Sequence, residues 1–131
     1  MPKVFTSKTQ KLGEIGENLA CAFLMKHGFS IVERNFTISS GEIDIIAKKK
    51  EVVHFIEVKS ASANFNHSVT RATTIDPVQN MHPIKMKKFL KTAQIYLLEK
   101  DIVEDFSIDL ALVYIDEIKK QGKVELFEAI A

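Results

Sequence analysis

The chain has a single cysteine, Cys21, so it can form no internal disulfide, and a reducing, cytoplasmic setting is expected. No apolar run reaches the roughly 20 residues of a membrane-crossing helix. Met1–Gln10 lacks the apolar core of a secretory signal, so no membrane partner is expected. Charge of one sign is also missing. With 18 Lys and Arg against 17 Asp and Glu the formal net charge is +1, which excludes a broad polyanion-binding surface and leaves a local basic patch as the only basis for a nucleic-acid role. Tryptophan is absent, which by itself excludes nothing. There is no internal repeat and no low-complexity tract. What remains is 131 residues, 46% of them apolar, enough for one domain (residues 1–131) with a real core.

The informative stretch is Gly41–Ser60, GEIDIIAKKKEVVHFIEVKS. Two apolar, β-branched runs, Ile43–Ala47 and Val52–Val58, flank the polar Lys48–Glu51 and predict a β-hairpin. A two-residue turn at Lys49–Lys50 would set Ile46 opposite Val53, Asp44 opposite Phe55 and Glu42 opposite Glu57. Asp44 and Glu57 would then be diagonal neighbours on one face, roughly 7–8 Å apart at Cα. Glu57 and Lys59, two apart, share that side of the strand. Two carboxylates and an amine on a mostly apolar hairpin are costly unless something pairs them, and a divalent metal is the candidate.

Before this hairpin the pattern predicts a helix over roughly Lys8–His27, with Ser7 and Gln10 at capping-box spacing and Gly28 at the stop. Leu12, Ile15, Leu19, Ala22 and Phe23 are expected to form its buried stripe. A second stripe of Gly13, Glu17, Ala20, Cys21 and Leu24 would allow close approach to a neighbour and hold Glu17 near that contact. By residue type alone, Glu17 reads first as an ordinary solvated helix carboxylate. A strand over Phe29–Phe36 and a turn at Ser39–Gly41 complete the first half.

After the hairpin, Ala61–Met81 reads as a long loop. His54, His67 and His82 show no metal-ligand spacing and read as surface or packing residues. A second helix should start at Pro83 and end near Lys100, with Met86, Phe89, Leu90, Ala93 and Leu97 on its apolar face. Lys85, Lys87, Lys88 and Lys91 gather positive charge in its first half, where the helix dipole does not favour it, which suggests an anionic partner beside the ordinary reading of a solvated face. Strands over Phe106–Ile115 and Lys123–Ile130, with a turn at Gln121–Gly122, close the chain. Asp109 reads as a paired core carboxylate. The order αβββαββ implies an α/β fold on a mixed sheet.

Ser40–Gly41–x–x–Asp44 followed by Glu57–x–Lys59 resembles the core of the PD-(D/E)XK nuclease superfamily, and SGEIDIIA…FIEVK is similar to archaeal Holliday junction resolvases. Over nearly its full length the chain more closely resembles the YraN-like family, small bacterial proteins of uncharacterised function. That pattern runs through Gly16–Glu17, Ala20, Leu24, Gly28, Asn35, GEIDIIA, Glu57–Val58–Lys59, Lys85, Ala93 and Tyr96–Leu97. Three positions depart from it. Ile43 stands where the superfamily's proline would be, Ser60–Ala61–Ser62 replaces an expected basic residue, and the segment leading to Lys85 is longer.

The resemblance implies a restriction-endonuclease-like mixed sheet flanked by helices. It implies Mg²⁺ or Mn²⁺ held by Asp44, Glu57 and the Val58 carbonyl, with Lys59 orienting the attacking water and Glu17 completing the catalytic pocket. The expected activity is metal-dependent hydrolysis of phosphodiester bonds in DNA, branched or structured DNA included, with Lys85 and Lys88 on the nucleic acid and a homodimer among the open assembly states. The alternative is a nucleic-acid-binding or protein-interaction module that retains the fold without turnover.

Overall fold

The structure is a computed structural model that describes residues 8–65 and 83–131. Its elements are α1 (Lys8–Lys26), β1 (Ser30–Ile38), β2 (Gly41–Lys49), β3 (Val52–Ser62), α2 (Pro83–Glu99), β4 (Asp105–Asp116) and β5 (Gln121–Phe127), the expected order. The strands form one five-stranded sheet in sequence order. All neighbours are antiparallel except β3 and β4, which run parallel and are joined by the connection that contains α2. A parallel pair needs such a crossover, and it carries α2 onto the sheet. Most of the expected loop, together with His67 and His82, lies outside the described residues. Among those described, no helix is long and apolar enough to cross a membrane.

Two apolar layers follow from strand alternation. Ile45, Ala47, Ile56, Ala111, Val113 and Ile115 face α1, while Ile46, Val53, Phe55 and Ile108 face α2. On α2 the expected face is the one used: Phe89, Ala93 and Tyr96 are buried, with Met86, Leu90 and Leu97 partly so. On α1 the expectation needs correction. Leu12, Leu19 and Phe23 pack partly buried on the core as expected. The most deeply buried positions, however, are Gly16 and, from the second stripe, Ala20, Cys21 and Leu24, whereas Ile15 is 45% exposed and Ala22 faces outward. The reason is close approach. A Cβ on Gly16 would collide with the Ser60 hydroxyl of β3, so only glycine lets α1 lie this near the sheet.

The hairpin register is also corrected. The turn is at Lys50–Glu51, both at positive φ (48° and 65°), a conformation whose twist suits a two-residue hairpin. Ile46 therefore pairs with Phe55 and Lys48 with Val53. The slip from the expected register is two residues, so every side chain keeps its face. Gln121–Gly122 is no turn but the start of β5. The chain reverses before it, where the Asp116 carboxylate accepts the N–H groups of Ile118 and Lys119 at 3.1 and 3.0 Å. Gly122 lies beneath Leu19, whose side-chain end would have to shift to admit a Cβ there.

At the opposite end of β4, Asp109 is the paired core carboxylate expected. It bonds His54 Nδ1 at 2.6 Å, Ser107 Oγ at 2.5 Å and the Ala129 N–H at 3.0 Å, and His54 is buried against the Phe29 ring. His54, Asp109 and Glu128 are the one group among the described residues whose ligand atoms lie within 4.8 Å of one another. Asp109 is already fully engaged, and the group serves to anchor the C-terminal segment to the sheet. Asp109→Ala leaves the buried imidazole of His54 without its carboxylate and the Ala129 N–H with Ser107 Oγ alone. It should cost about 3–5 kcal/mol of stability, the scale for breaking a buried pair, read from urea denaturation at neutral pH.

Candidate active site

The paired part of β2 and β3 ends at Ile45 and Ile56. One step further the strands part, and in the gap stand Asp44 and Glu57, the next facing positions. Asp44 is fixed by the Val58 N–H, which donates to its Oδ2 at 2.8 Å, the side chain taking over where the main-chain ladder stops. The Asp44 carboxyl lies within hydrogen-bonding reach of Glu57. Burial first, then the charge of Glu57 and the shared hydrogen bond, with a smaller push from Glu17, raise its pKa to about 8 against the Val58 donor. At neutral pH Asp44 therefore keeps its proton.

Glu57 is buried and ion-paired with Lys85 Nζ, from the first turn of α2. A cavity of about 260 Å³ opens here, lined by Gly41, Glu42, Asp44, Glu57, Lys85 and Lys88. A second cavity of about 210 Å³ lies on the α1 side, lined by Gly13, Glu17, Asp44, Val58, Lys59 and Ser60. Asp44 borders both. The structure thus brings Asp44, Glu57 and Lys85 together and places Lys88 beside them. Lys59 is exposed in the cavity of Glu17 rather than that of Lys85. Glu17 stands farther off and forms no trio with the other two carboxylates at ion-ligating spacing. Val58 contributes its N–H, to Asp44.

Glu17 is no free surface carboxylate. Burial raises its pKa, partly offset by Arg34, 3.5 Å away, and by a hydrogen bond with Asn35. Arg34 also donates to Asn18 Oδ1 at 2.9 Å. The sequence reading gave Arg34 no role, and Asn35 entered only as part of a family pattern. The signal available was their position on β1 opposite Ile45 and Asp44, legible only once the β1–β2 register is known. A second contact that sequence did not reveal docks α2. The fully buried Thr92 donates to the Lys88 carbonyl at 2.9 Å and so accepts from Ser40 Oγ at 2.8 Å. A Cβ on Gly41 would come within 3.1 Å of that Thr92 oxygen. The Ser40–Gly41 pair is thus the seat of the helix that carries Lys85 and Lys88.

The raised Asp44 pKa has a stability consequence. Unfolded, Asp44 loses its proton near pH 4, whereas folded it keeps the proton to about pH 8. In that window the folded state binds the extra proton, so its contribution to stability falls as pH rises, unimpaired below about 4 and fully spent above about 8. Asp44→Asn copies the protonated form and still accepts from Val58. In metal-free protein, the stability of the variant relative to wild type should rise steadily across this window in urea melts at a series of pH values. A flat difference would mean that Asp44 carries no such proton.

The sequence pattern of the uncharacterised protein family UPF0102 matches residues 16–113. A UPF0102 protein of Helicobacter pylori (strain P12) is 44% identical over 128 residues, covering 98% of this chain and 97% of its own. One from Sulfurovum sp. (strain NBC37-1) is 42% identical over 120 residues, 91% of each chain. The solved structure of Pyrococcus furiosus SfsA in complex with Ca²⁺ is similar at a TM-score of 0.38 and 15% identity, covering 94% of this chain and 65% of that one, a likeness too loose to carry an argument. On the match of pattern and relatives, the chain belongs to the uncharacterised protein family UPF0102.

Proposed function

We propose that this protein is a cytoplasmic, metal-dependent endonuclease that hydrolyses phosphodiester bonds in DNA, branched or structured DNA included. The observation that carries the reading is the facing pair Asp44 and Glu57, set where two strands part and lining a cavity with two lysines. Such a pair suits a hard divalent cation. Mg²⁺ and Mn²⁺ prefer oxygen donors and need only one or two carboxylates, and the proton held by Asp44 is what such an ion displaces. Asp44 and Glu57 would hold it, with the Val58 carbonyl as a further donor. When bound, the ion supplies Lewis acidity to a phosphoryl oxygen and acidifies water.

The other roles belong to the chain's own side chains. Lys59, on the far side of Asp44, orients the attacking water and offsets phosphate charge. Lys85 and Lys88 receive the nucleic-acid backbone over the cavity they line. Glu17, steadied by Arg34 and Asn35, forms the wall of the second cavity and acts through the placement of Asp44 and Lys59. A second reading, a nucleic-acid-binding or protein-interaction module without turnover, is favoured by one observation, that Glu57 already has Lys85 as its cation.

Labelled junctions, flaps, duplexes and single strands incubated with Mg²⁺ or Mn²⁺ decide between the two. The nuclease reading expects cleavage that needs the metal and falls on the order of a hundred- to a thousandfold in Asp44→Asn, the scale for losing one electrostatic element of a catalytic site. Equal cleavage by wild type and variant would mark a contaminant. Binding without cleavage would leave the second reading. Lys85→Gln and Lys88→Gln should each flatten the salt dependence of DNA binding by roughly one log–log unit per lost phosphate contact. An unchanged slope would make them a solvated face.

A further inference from the structure

Glu57 is neutralised before any metal arrives. Its side chain is 11% exposed and bears on one oxygen the ammonium of Lys85, whose own side chain is 48% exposed. A divalent cation at the same carboxylate would face that ammonium at contact distance, where like charges repel strongly in a partly desolvated site. The two cations are therefore in competition. Lysine is a compact charge on a flexible four-carbon stem, so the competitor can leave by a change of rotamer. The helix beneath it stays in place, because Thr92 and Ser40 fasten α2 to the β1–β2 turn. Lys88 lines the same cavity one turn along, so an arriving anion meets positive charge before Lys85 has moved.

We infer that Lys85 is a positioning residue that keeps Glu57 closed to a divalent cation until a phosphodiester backbone draws its ammonium away, so that metal and nucleic acid bind cooperatively. This rests on the nuclease reading of the same carboxylates and adds to it a regulation that this reading does not require. With the ammonium on Glu57, the site has low affinity for metal and the protein holds little of the ion that would cut DNA indiscriminately. With the ammonium on a phosphate, Glu57 is released at the moment the scissile bond is near. Linkage makes the effect reciprocal, so metal should tighten nucleic-acid binding by the factor with which nucleic acid tightens metal.

The test uses Mn²⁺, followed by its free-ion electron paramagnetic resonance signal, with full-length wild type, Lys85→Met and Asp44→Asn. Without nucleic acid, Lys85→Met should bind Mn²⁺ roughly two- to fivefold more tightly than wild type, the equivalent of a half-exposed ion pair. A merely structural lysine predicts the opposite sign or no change. A cleavage-resistant phosphorothioate oligonucleotide should then tighten Mn²⁺ binding more in wild type than in Lys85→Met, by about the same factor. An uncharged methylphosphonate oligonucleotide should not produce that difference, since it offers the ammonium no anion. Asp44-dependent Mn²⁺ binding that Lys85→Met leaves unchanged or weakens overturns the inference and leaves the nuclease reading standing. Mn²⁺ binding that is absent, or indifferent to Asp44→Asn, overturns both.

Discussion

Where β2 leaves β3, the Val58 N–H has lost a main-chain partner and Asp44 supplies one. That single hydrogen bond fixes a carboxylate in a place where burial and a neighbouring carboxylate both oppose its charge. The surroundings can be read as the means of tolerating it. Asp44 keeps its proton, Lys85 pairs with Glu57, and Arg34 answers Glu17. Close approach of α1 through Gly16 brings Glu17 to the sheet, and the Ser40–Thr92 contact brings the lysines of α2. Remove the fork in the strands and none of these contacts has a purpose.

The near-neutral composition conceals this arrangement. Acidic and basic groups are almost equal in number over the chain, but around Asp44 they come from different elements. Carboxylates arrive from α1, β2 and β3, and cations from β1, β3 and α2. Glu57 and Glu17 are thereby each matched by a cation on another segment, and no single run of sequence shows the balance.

This explains how much was legible beforehand. The element order, the hairpin, the apolar face of α2 and the candidate carboxylates lie in local patterns of period 2 and 3.6, and the sequence displays them directly. The hairpin register was missed by two residues because Lys50–Glu51 carries no Asn or Gly to advertise its positive φ values. The buried face of α1 is legible only in part: Leu12, Leu19 and Phe23 pack on the core, but Ile15 and Ala22 turn outward because close approach to β3 favours Gly16 and Ala20, and a sequence does not state that distance. Gly122 resembled a turn residue but lies in β5, beside the Leu19 side chain. The pairs Lys85–Glu57, Arg34–Glu17 and Ser40–Thr92 join residues remote in sequence, and no periodicity points to them.

The parallel pairing of β3 and β4 bears on how the site is assembled in time. The carboxylates sit on a hairpin whose contacts are local, so they can come together early. Lys85 and Lys88 sit on the crossover, which is seated only when β4 finds β3, a long-range event that carries the entropy of closing the intervening chain. The acids are thus gathered by contacts close in sequence and their lysine partners by a distant one. The charge balance of the site therefore depends on the pairing of two strands that carry none of the lysines lining its cavity.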